Sequence, residues 1–474
     1  MSARAPLAAG VPRLGSAARR GALGAGLVLA ALVIAAASVR SPMLAVAALL
    51  AVAFVAVAFR NLAGGLAFFV VLTFFDRLPG SPATGLTLVK AAGLVLALAW
   101  LAALMTRRAS IPLLFRDHPW LAYAILLFLT WSLASVLWAE DEVSARVNSF
   151  RLVQAAVLFF IVFSAIEKRQ HLLWVVAAYL GGAALTAIVG LAGGSSSEQF
   201  SPYADVGRLS GGISDPNELA AILTPAIAIA AFLIPTTREP LMRWLLLSLV
   251  LVIGLALFFT QSRGGLLALA VVFVATPILA GPVRLRSLVV ILALAALGVG
   301  YFTLVAPPEA IQHVTRFSVG SGTGREDLWK VSIEMFNDHP IAGVGTGNFQ
   351  VIEPRYALQD INLRRPDLVV DTPKVAHNTY LHVLTELGVV GFAAFAAMLL
   401  GSVLIAWNSI KSFARRGELR LEIVGRGVLI GTIGMLAAFV FITAQYEKQL
   451  WLLLGACAAL STLAKAGEFA NGEA

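Results

Sequence analysis

The sequence predicts an all-α polytopic integral membrane protein with about 12–14 transmembrane helices. Hydrophobic residues make up 59% of its 474 residues, charged residues make up 13%, and the mean hydropathy is +0.86. A soluble domain of this size does not need so much apolar surface, because only its core is withdrawn from water. One long polar stretch, from about Ala306 to Asn378, interrupts the apolar runs. It is too long for a simple connector and is therefore the first candidate for a functional segment.

About fourteen apolar runs are long enough, or nearly so, to cross a bilayer, which takes about 17–25 residues. The first run exceeds the apolar part of a secretory signal and is predicted to remain as an uncleaved span. About eleven runs precede the polar stretch and about three follow it. The predicted spans are Gly21–Val39, Pro42–Phe59, Leu62–Phe75, Leu86–Met105, Trp120–Trp138, Phe150–Ile166, Leu172–Ala192, Glu218–Ile234, Leu241–Thr260, Gly264–Leu279, Ser287–Val305, Gly388–Trp407, Ile423–Thr443 and Leu450–Leu463.

The charges of the loops predict how these spans are oriented. Basic residues are concentrated in every second loop, as the positive-inside rule requires of the cytoplasmic side. With residues 1–20 as a cytoplasmic tail, the spans within 21–305 and 379–465 leave 306–378 outside and return 466–474 to the cytoplasm. The net charge of +9 is explained by this placement, so no nucleic-acid partner is predicted.

The long loop departs from the charge rule because it is basic although it is predicted to lie outside. Basic residues kept on that side suggest an anionic ligand. For most of them the preferred interpretation is a solvated loop surface. The seven residues are Arg316, Arg325, Lys330, Arg355, Arg364, Arg365 and Lys374.

Three further positions on the predicted outer side are candidates for function. Arg208 lies in a glycine-rich segment, and Asp215 or Asn217 is placed to cap the helix that follows. Arg263 lies in a tight hairpin between two spans, where the alternative is an interfacial anchor that extends to lipid headgroups. The acidic run Glu140–Glu142 offers the oxygen ligands that divalent cations prefer, although a solvated loop is the commoner explanation.

Inside the long loop, Thr323 and Glu326 form a capping-box pattern that predicts a helix starting at Gly324. Arg325 then lies in the first turn, where a positive charge is unfavourable for the helix dipole unless an anion is close. A helix N-terminus beside an arginine is a good diphosphate site, and a surface arginine on an amphipathic helix is the alternative. The glycines within 343–347 lack the features of a phosphate-binding P-loop and are interpreted as turns.

His377 is the strongest candidate for a catalytic residue in the loop. It precedes Asn378 and a predicted helix, Thr379–Glu386, that leads into the next span. A neutral imidazole at a membrane surface is able to take a proton from a sugar hydroxyl near neutral pH. The alternative is a histidine with a purely structural role. The single cysteine, Cys457, lies in an apolar run, excludes an internal disulfide and has no predicted role.

In this order, the motifs resemble those of the O-antigen ligase family. This superfamily also includes O-antigen and exopolysaccharide polymerases and some protein O-oligosaccharyltransferases. The resemblance covers about residues 208–391, and the earlier spans match only in being hydrophobic. It is carried by Ser262-Arg263-Gly264, Gly324-Arg325 with Trp329, His339-Pro340, Gly343-Val344-Gly345-x-Gly347-x-Phe349, His377-Asn378-x-Tyr380-Leu381 and Glu386-x-Gly388.

The resemblance implies a GT-C-like membrane glycosyltransferase in the inner (cytoplasmic) membrane. Such an enzyme takes a glycan from an undecaprenyl-diphosphate carrier and transfers it to an acceptor, here lipid A–core, on the external face. The family works with inversion at the sugar and needs no metal or other cofactor. The catalytic residues implied are His377, Arg325 and Arg263. The substrate-binding residues implied are Arg208, Arg263, Arg325, Asn378 and Tyr380.

Three other functions are kept as alternatives. A polymerase, whose acceptor is a second lipid-linked glycan, needs the same donor chemistry. A flippase or transporter of the lipid-linked saccharide would need a polar path through the spans, where Lys90 is the clearest charge. The absence of a convincing internal repeat weakens a transporter built from inverted halves. A metal-dependent GT-C enzyme would use Glu140–Glu142.

Overall fold

The computed structural model describes most of the chain. The described residues are 42–75, 87–106, 112–193, 208–211, 213, 215–306, 308, 311, 324–359, 363 and 374–471. Some predictions lie outside these residues and concern Gly21–Val39, Thr323, Arg316, Arg364 and Arg365.

The regular secondary structure of the described residues consists of helices, with no β-sheet among these residues. Short 3-10 turns extend α2 to Phe75 and α5 to Leu137, and a π-helical turn, Tyr301–Val305, extends α11. The helices are α1 (Pro42–Arg60), α2 (Leu62–Leu72), α3 (Leu88–Met105), α4 (Pro112–Asp117), α5 (Pro119–Ala134), α6 (Glu142–Ala165), α7 (Arg169–Leu191), α8 (Pro216–Leu233), α9 (Pro240–Phe259), α10 (Arg263–Leu279), α11 (Arg284–Gly300), α12 (Arg325–Asp338), α13 (Phe349–Ala357), α14 (Thr379–Arg415), α15 (Leu419–Ala438) and α16 (Lys448–Asn471).

The predicted all-α polytopic membrane fold is confirmed. Within the described residues, ten helices are long and apolar enough to cross a membrane, and α1, α2 and α10 are shorter apolar helices. Each predicted span from Pro42–Phe59 onward corresponds to one of these helices. The two short helices of the long loop, α12 and α13, are more polar and lie outside this set.

Several helix boundaries differ from the predicted spans, and two of the differences have local reasons. The helix α6 begins at Glu142 rather than near Phe150 because Asp141 caps it, accepting hydrogen bonds from two first-turn N–H groups at 2.9 and 3.1 Å. The helix α15 ends at Ala438, short of the predicted Thr443. The residues after α15 bond instead to the start of α14, so the last turn predicted for this span is replaced by a loop.

The core of the bundle lies between α8 and α15. In each of these helices 83% of the apolar window is buried. Glycines of α15 allow this close approach: a Cβ added at Gly431 would lie 2.8 Å from Cα of Pro225, and one added at Gly427 would lie 3.2 Å from Cα of Ile229. Small residues at a helix interface let backbones approach in this way inside a membrane, where apolar bulk alone does not drive association.

The connections between helices alternate between two ends of the bundle. We call the end where the 306–378 segment joins the bundle the loop end, and the other the opposite end. At the loop end, the Leu209 N–H donates to the Phe259 carbonyl at 3.1 Å. At the opposite end, Lys465 pairs with Asp117 at 3.0 Å. This alternation agrees with the predicted order of spans, and which end faces the cytoplasm stays a prediction.

A turn of glycines fixes the long loop to a break in α14. The helix is interrupted at Gly388, where φ is +64°. Just before this break, the carbonyls of Thr385 and Glu386 accept hydrogen bonds from the N–H groups of Val344 and Gly345 at 3.0 and 2.8 Å. The interpretation of the 343–347 glycines as turns is confirmed, because all three have positive φ.

Gly343 is a position in this turn where a side chain does not fit. Its φ is +70°, and a Cβ there would lie 2.4 Å from the carbonyl carbon and oxygen of Glu386. We expect Gly343→Ala to lower the free energy of unfolding by at least about 2 kcal/mol, because a left-handed alanine alone costs about 1–2 kcal/mol. Thermal unfolding in detergent measures this loss. Gly181→Ala, whose Cβ would meet no atom within 4 Å, is the control; an equal midpoint for both variants would contradict the prediction.

Candidate active site

Three arginines from distant parts of the chain come together at the loop end. Arg208 precedes α8, Arg263 is the first residue of α10 and Arg325 is the first residue of α12. Burial lowers the pKa of Arg325, and the charges of Arg208 and Arg263 lower it further, whereas the carboxylate of Asp215 raises it. An arginine stays charged at neutral pH even so. The three side chains therefore concentrate positive charge in one place.

Arg208 is held between the α9–α10 hairpin and the start of α8. Its Nε donates a hydrogen bond to the Thr260 carbonyl at 2.8 Å, and its Nη2 donates to Oδ1 of Asn217 at 3.0 Å. A guanidinium fixed by two acceptors loses little further freedom when it binds a ligand. The structure thus orders Arg208 beside the hairpin that carries Arg263.

The two polar residues predicted as caps of α8 have separate roles. Asp215 is the N-cap, and its Oδ1 accepts hydrogen bonds from the N–H groups of Asn217 and Glu218 at 2.6 and 3.3 Å. The side chain of Asn217 binds Arg208 instead. The sequence pattern shows that one residue caps the helix, but the contact to Arg208 depends on the path of the connecting chain.

The hairpin that carries Arg263 is tightly constrained. Gln261 has φ +50°, in the left-handed region that non-glycine residues seldom adopt. Ser262 caps α10 by accepting a hydrogen bond from the Gly265 N–H at 3.2 Å. Gly265 packs on α8, since a Cβ there would lie 2.5 Å from that of Ala220. Arg263 is therefore half-buried on a rigid turn, which differs from a mobile anchor reaching toward headgroups.

The helix predicted to start at Gly324 is present as α12, and Thr323 of its predicted capping box lies outside the described residues. Gly324 is the N-cap, with φ +72°. The helix starts one residue later than the pattern requires, so Glu326 stands at its second position rather than its third. Arg325 is half-buried and its guanidinium forms no hydrogen bond with a described residue. A guanidinium at a helix N-terminus is well arranged to bind an anion.

His377 lies beside this cluster in an unusual backbone conformation. Its φ is +48°, and Gln261 is the other non-glycine residue with positive φ in the described part of the chain. Burial lowers the pKa of His377 to about 4, and the Arg325 charge adds to this effect, whereas Asp215 opposes it. The imidazole is therefore neutral near pH 7. Strained residues such as these are concentrated at functional sites in proteins.

Trp329 connects α12 to the residue before His377. Its Nε1 donates a hydrogen bond to the Ala376 carbonyl at 3.1 Å. Arg325 and Trp329 are four residues apart and share one face of α12. The sequence identifies Trp329 only as part of a motif. Its role in holding the segment of His377 follows from the packing of α12 against that segment.

Asn378 and Tyr380 already have structural partners. Asn378 caps α14, accepting hydrogen bonds from the N–H groups of Tyr380 and Leu381 at 3.0 and 3.1 Å. The Tyr380 hydroxyl donates to the Leu436 carbonyl at 2.7 Å. These bonds position the start of α14 next to His377. A direct role of either side chain in binding substrate stays a prediction.

Four helices begin around the arginine cluster. They are α8, α10, α12 and α14, and their N-termini carry the positive ends of helix dipoles. Asp215, Ser262 and Asn378 cap three of them. The dipoles add to the charge of the arginines, so this place favours a polyanion strongly.

The acidic run at the start of α6 is engaged in structural contacts. Glu140 forms a two-pronged ion pair with Arg355, with N···O distances of 2.6 and 2.5 Å. Asp141 caps α6, and Glu142 pairs with Arg146 at 3.1 Å. Arg355 thus fits the interpretation of a structural surface residue. In the described part of the chain, no group of three or more His, Cys, Asp or Glu side chains is arranged to hold a metal ion.

The fold and this cluster define a class of protein: a multi-pass α-helical membrane protein with a cluster of arginines where a long loop joins the bundle. The family model for O-antigen ligase (Wzy_C) matches residues 247–396. The family indicated by the motifs is therefore confirmed for this part of the chain, which includes Arg263, Arg325 and His377. No curated protein sequence matches the chain. The domain is that of a membrane enzyme of the O-antigen ligase or polymerase type.

Proposed function

We propose that this protein transfers a glycan from undecaprenyl diphosphate to lipid A–core on the external face of the inner membrane. The observation that carries the proposal is that Arg208, Arg263 and Arg325 meet at the loop end, where the charge of Arg325 also acts on His377. Three guanidiniums suit a diphosphate, which offers several oxygens to their paired N–H groups. The imidazole of His377 beside them is suited to accept the proton of the acceptor hydroxyl.

The chemistry needs no nucleotide, because the donor already carries a good leaving group. The acceptor oxygen forms a bond to the anomeric carbon, and the bond from that carbon to the diphosphate oxygen breaks. The electron pair goes to the diphosphate, where Arg263 and Arg325 neutralise the developing charge. The hydroxyl proton passes to the neutral imidazole of His377 and then to water. Attack from the face opposite the diphosphate inverts the configuration of the sugar.

The first alternative shares this donor chemistry. A polymerase would place a second lipid-linked glycan where the ligase places lipid A–core, and the acceptor used in an assay separates the two. The transport alternative is less well supported. Lys90, the charge quoted for a polar path, lies in the first turn of α3 and is exposed.

Transfer by the purified full chain in nanodiscs tests the proposal. The donor is an undecaprenyl-diphosphate oligosaccharide, lipid A–core is supplied or withheld, and EDTA is present. We expect glycan on lipid A–core together with release of lipid diphosphate. Longer glycan on the carrier without lipid A–core would instead identify a polymerase. Transfer that requires an added divalent cation would contradict the metal-independent chemistry, and failure of both transfers would contradict the enzymatic proposal for this donor.

Asn217 is expected to act as a positioning residue for Arg208. Asn217→Leu removes the acceptor of the 3.0 Å hydrogen bond while keeping a similar volume. We expect kcat/KM for the lipid-linked donor to fall about tenfold, mainly through a higher KM, because hydrogen bonds to charged groups contribute about 1.5–3 kcal/mol. Steady-state kinetics at varied donor concentration measure this. Asn408→Leu, an exposed position on α14, is the control; equal kinetics for both variants would contradict the role of Asn217.

A further inference from the structure

A groove between α9 and α11 opens at the opposite end of the bundle, away from the arginine cluster. It has a volume of about 850 Å³. Its walls are aliphatic residues of the two helices and of the end of α8, and two arginines also line it. The lining includes Leu247, Val250, Leu251, Val289, Ala293 and Leu297.

The two arginines lie at the same end of the groove. Arg243 is the fourth residue of α9 and Arg286 is the third residue of α11. Because α10 returns the chain between them, α9 and α11 run in the same direction and both begin at the opposite end. Both arginines are exposed, and neither forms a hydrogen bond with a described residue.

The length of the groove along the helices matches the thickness of one leaflet of a bilayer. From Arg286 to Leu297 the helix rises about 16 Å, at about 1.5 Å per residue. A bilayer's hydrocarbon core is about 30 Å thick, so one leaflet takes about half of that. The partly exposed Leu251 and Val289 show that the apolar wall is open to the bilayer side. The groove therefore has room for an acyl chain below a charged group.

We infer that this groove binds an anionic phospholipid of the leaflet at the opposite end. The guanidiniums of Arg243 and Arg286 bind the phosphate of its headgroup, and one acyl chain lies along the aliphatic wall. Charge complementarity selects an anionic lipid over a zwitterionic one, whose ammonium group offsets the phosphate charge. The glycan donor is a poor occupant, because its diphosphate is expected at the loop end.

The test uses the full-length protein in vesicle-derived nanodiscs that contain phosphatidylglycerol and phosphatidylethanolamine with the same acyl chains. The protein is released from the nanodiscs in the mass spectrometer, and native mass spectrometry counts the lipid molecules that stay bound to it. We expect the wild type to retain phosphatidylglycerol preferentially. The double variant Arg243→Gln/Arg286→Gln should retain at least about tenfold less phosphatidylglycerol than the wild type. Equal retention of the two lipids by the wild type would overturn the inference.

Two single variants separate a lipid site from general surface charge. Ala293→Phe fills the groove without changing any charge, and it should reduce phosphatidylglycerol retention while leaving binding of inorganic phosphate unchanged. Arg284→Gln removes an exposed charge at the same helix end that does not line the groove, and it should behave as wild type. A loss for Arg284→Gln as large as that of the double variant, or full retention by Ala293→Phe, would mean surface attraction alone and would overturn the inference.

Discussion

Arg325→Ala should lower glycan transfer about 10²–10³-fold while leaving the protein folded, because it removes a fixed charge where the leaving diphosphate gains charge. Arg325 is half-buried and forms no hydrogen bond with a described residue, so its loss leaves no acceptor unpaired in the described part of the chain. The measurement is the initial rate of lipid diphosphate release, normalised to folded protein. Full turnover by the variant would contradict the assignment of the diphosphate to this arginine.

Arg325→Lys provides the sharper comparison. Lysine keeps the positive charge but lacks the planar fork that binds two phosphate oxygens at once. We therefore expect this variant to recover little of the lost rate. The matched control is Arg146→Ala, an exposed arginine at the same end that pairs with Glu142. Its rate should equal that of the wild type.

His377→Asn should lower kcat about 10²–10⁴-fold, the usual contribution of an aligned general base. Asparagine tolerates the left-handed backbone at this position, where φ is +48°, so the substitution removes the imidazole without adding strain. His377→Ala would mix both effects. Single-turnover rates with saturating donor measure the chemical step. A rate within threefold of wild type for a folded His377→Asn protein would contradict the role of His377 as the general base. It would leave His377 a positioning role.

The pH dependence offers an independent check of His377. Its pKa is lowered to about 4, so the neutral base persists down to that pH and is lost only as the pH falls further. The profile of kcat/KM reports the free enzyme, so it should stay level between about pH 5.5 and 8. A bound diphosphate offsets the arginine charges and favours the protonated imidazole, so the acid limb of kcat should lie at higher pH. A fall of kcat/KM centred near pH 6.5 would contradict the lowered pKa.

Much of the fold followed from the sequence because membrane spans obey a simple rule. A run of about 20 apolar residues must satisfy its backbone hydrogen bonds internally, so it forms a helix wherever it lies. The predicted spans from Pro42–Phe59 onward, the all-α class and the turns at 343–347 were therefore readable from local composition. The errors were local as well. They were the start of α6, set by the Asp141 cap, and the end of α15 at Ala438.

The sequence by itself determined the class of fold, the resemblance to the family whose model matches residues 247–396, and which charged residues are candidates for the site. Only the tertiary structure decided that Arg208, Arg263 and Arg325 share one electrostatic environment and that Arg325 also acts on His377. It also decided that Asn217 binds Arg208 and that Trp329 binds the Ala376 carbonyl. The physical reason is range: helix formation depends on neighbours within a few residues, whereas these contacts join segments whose meeting is set by how α8, α10, α12 and α14 pack.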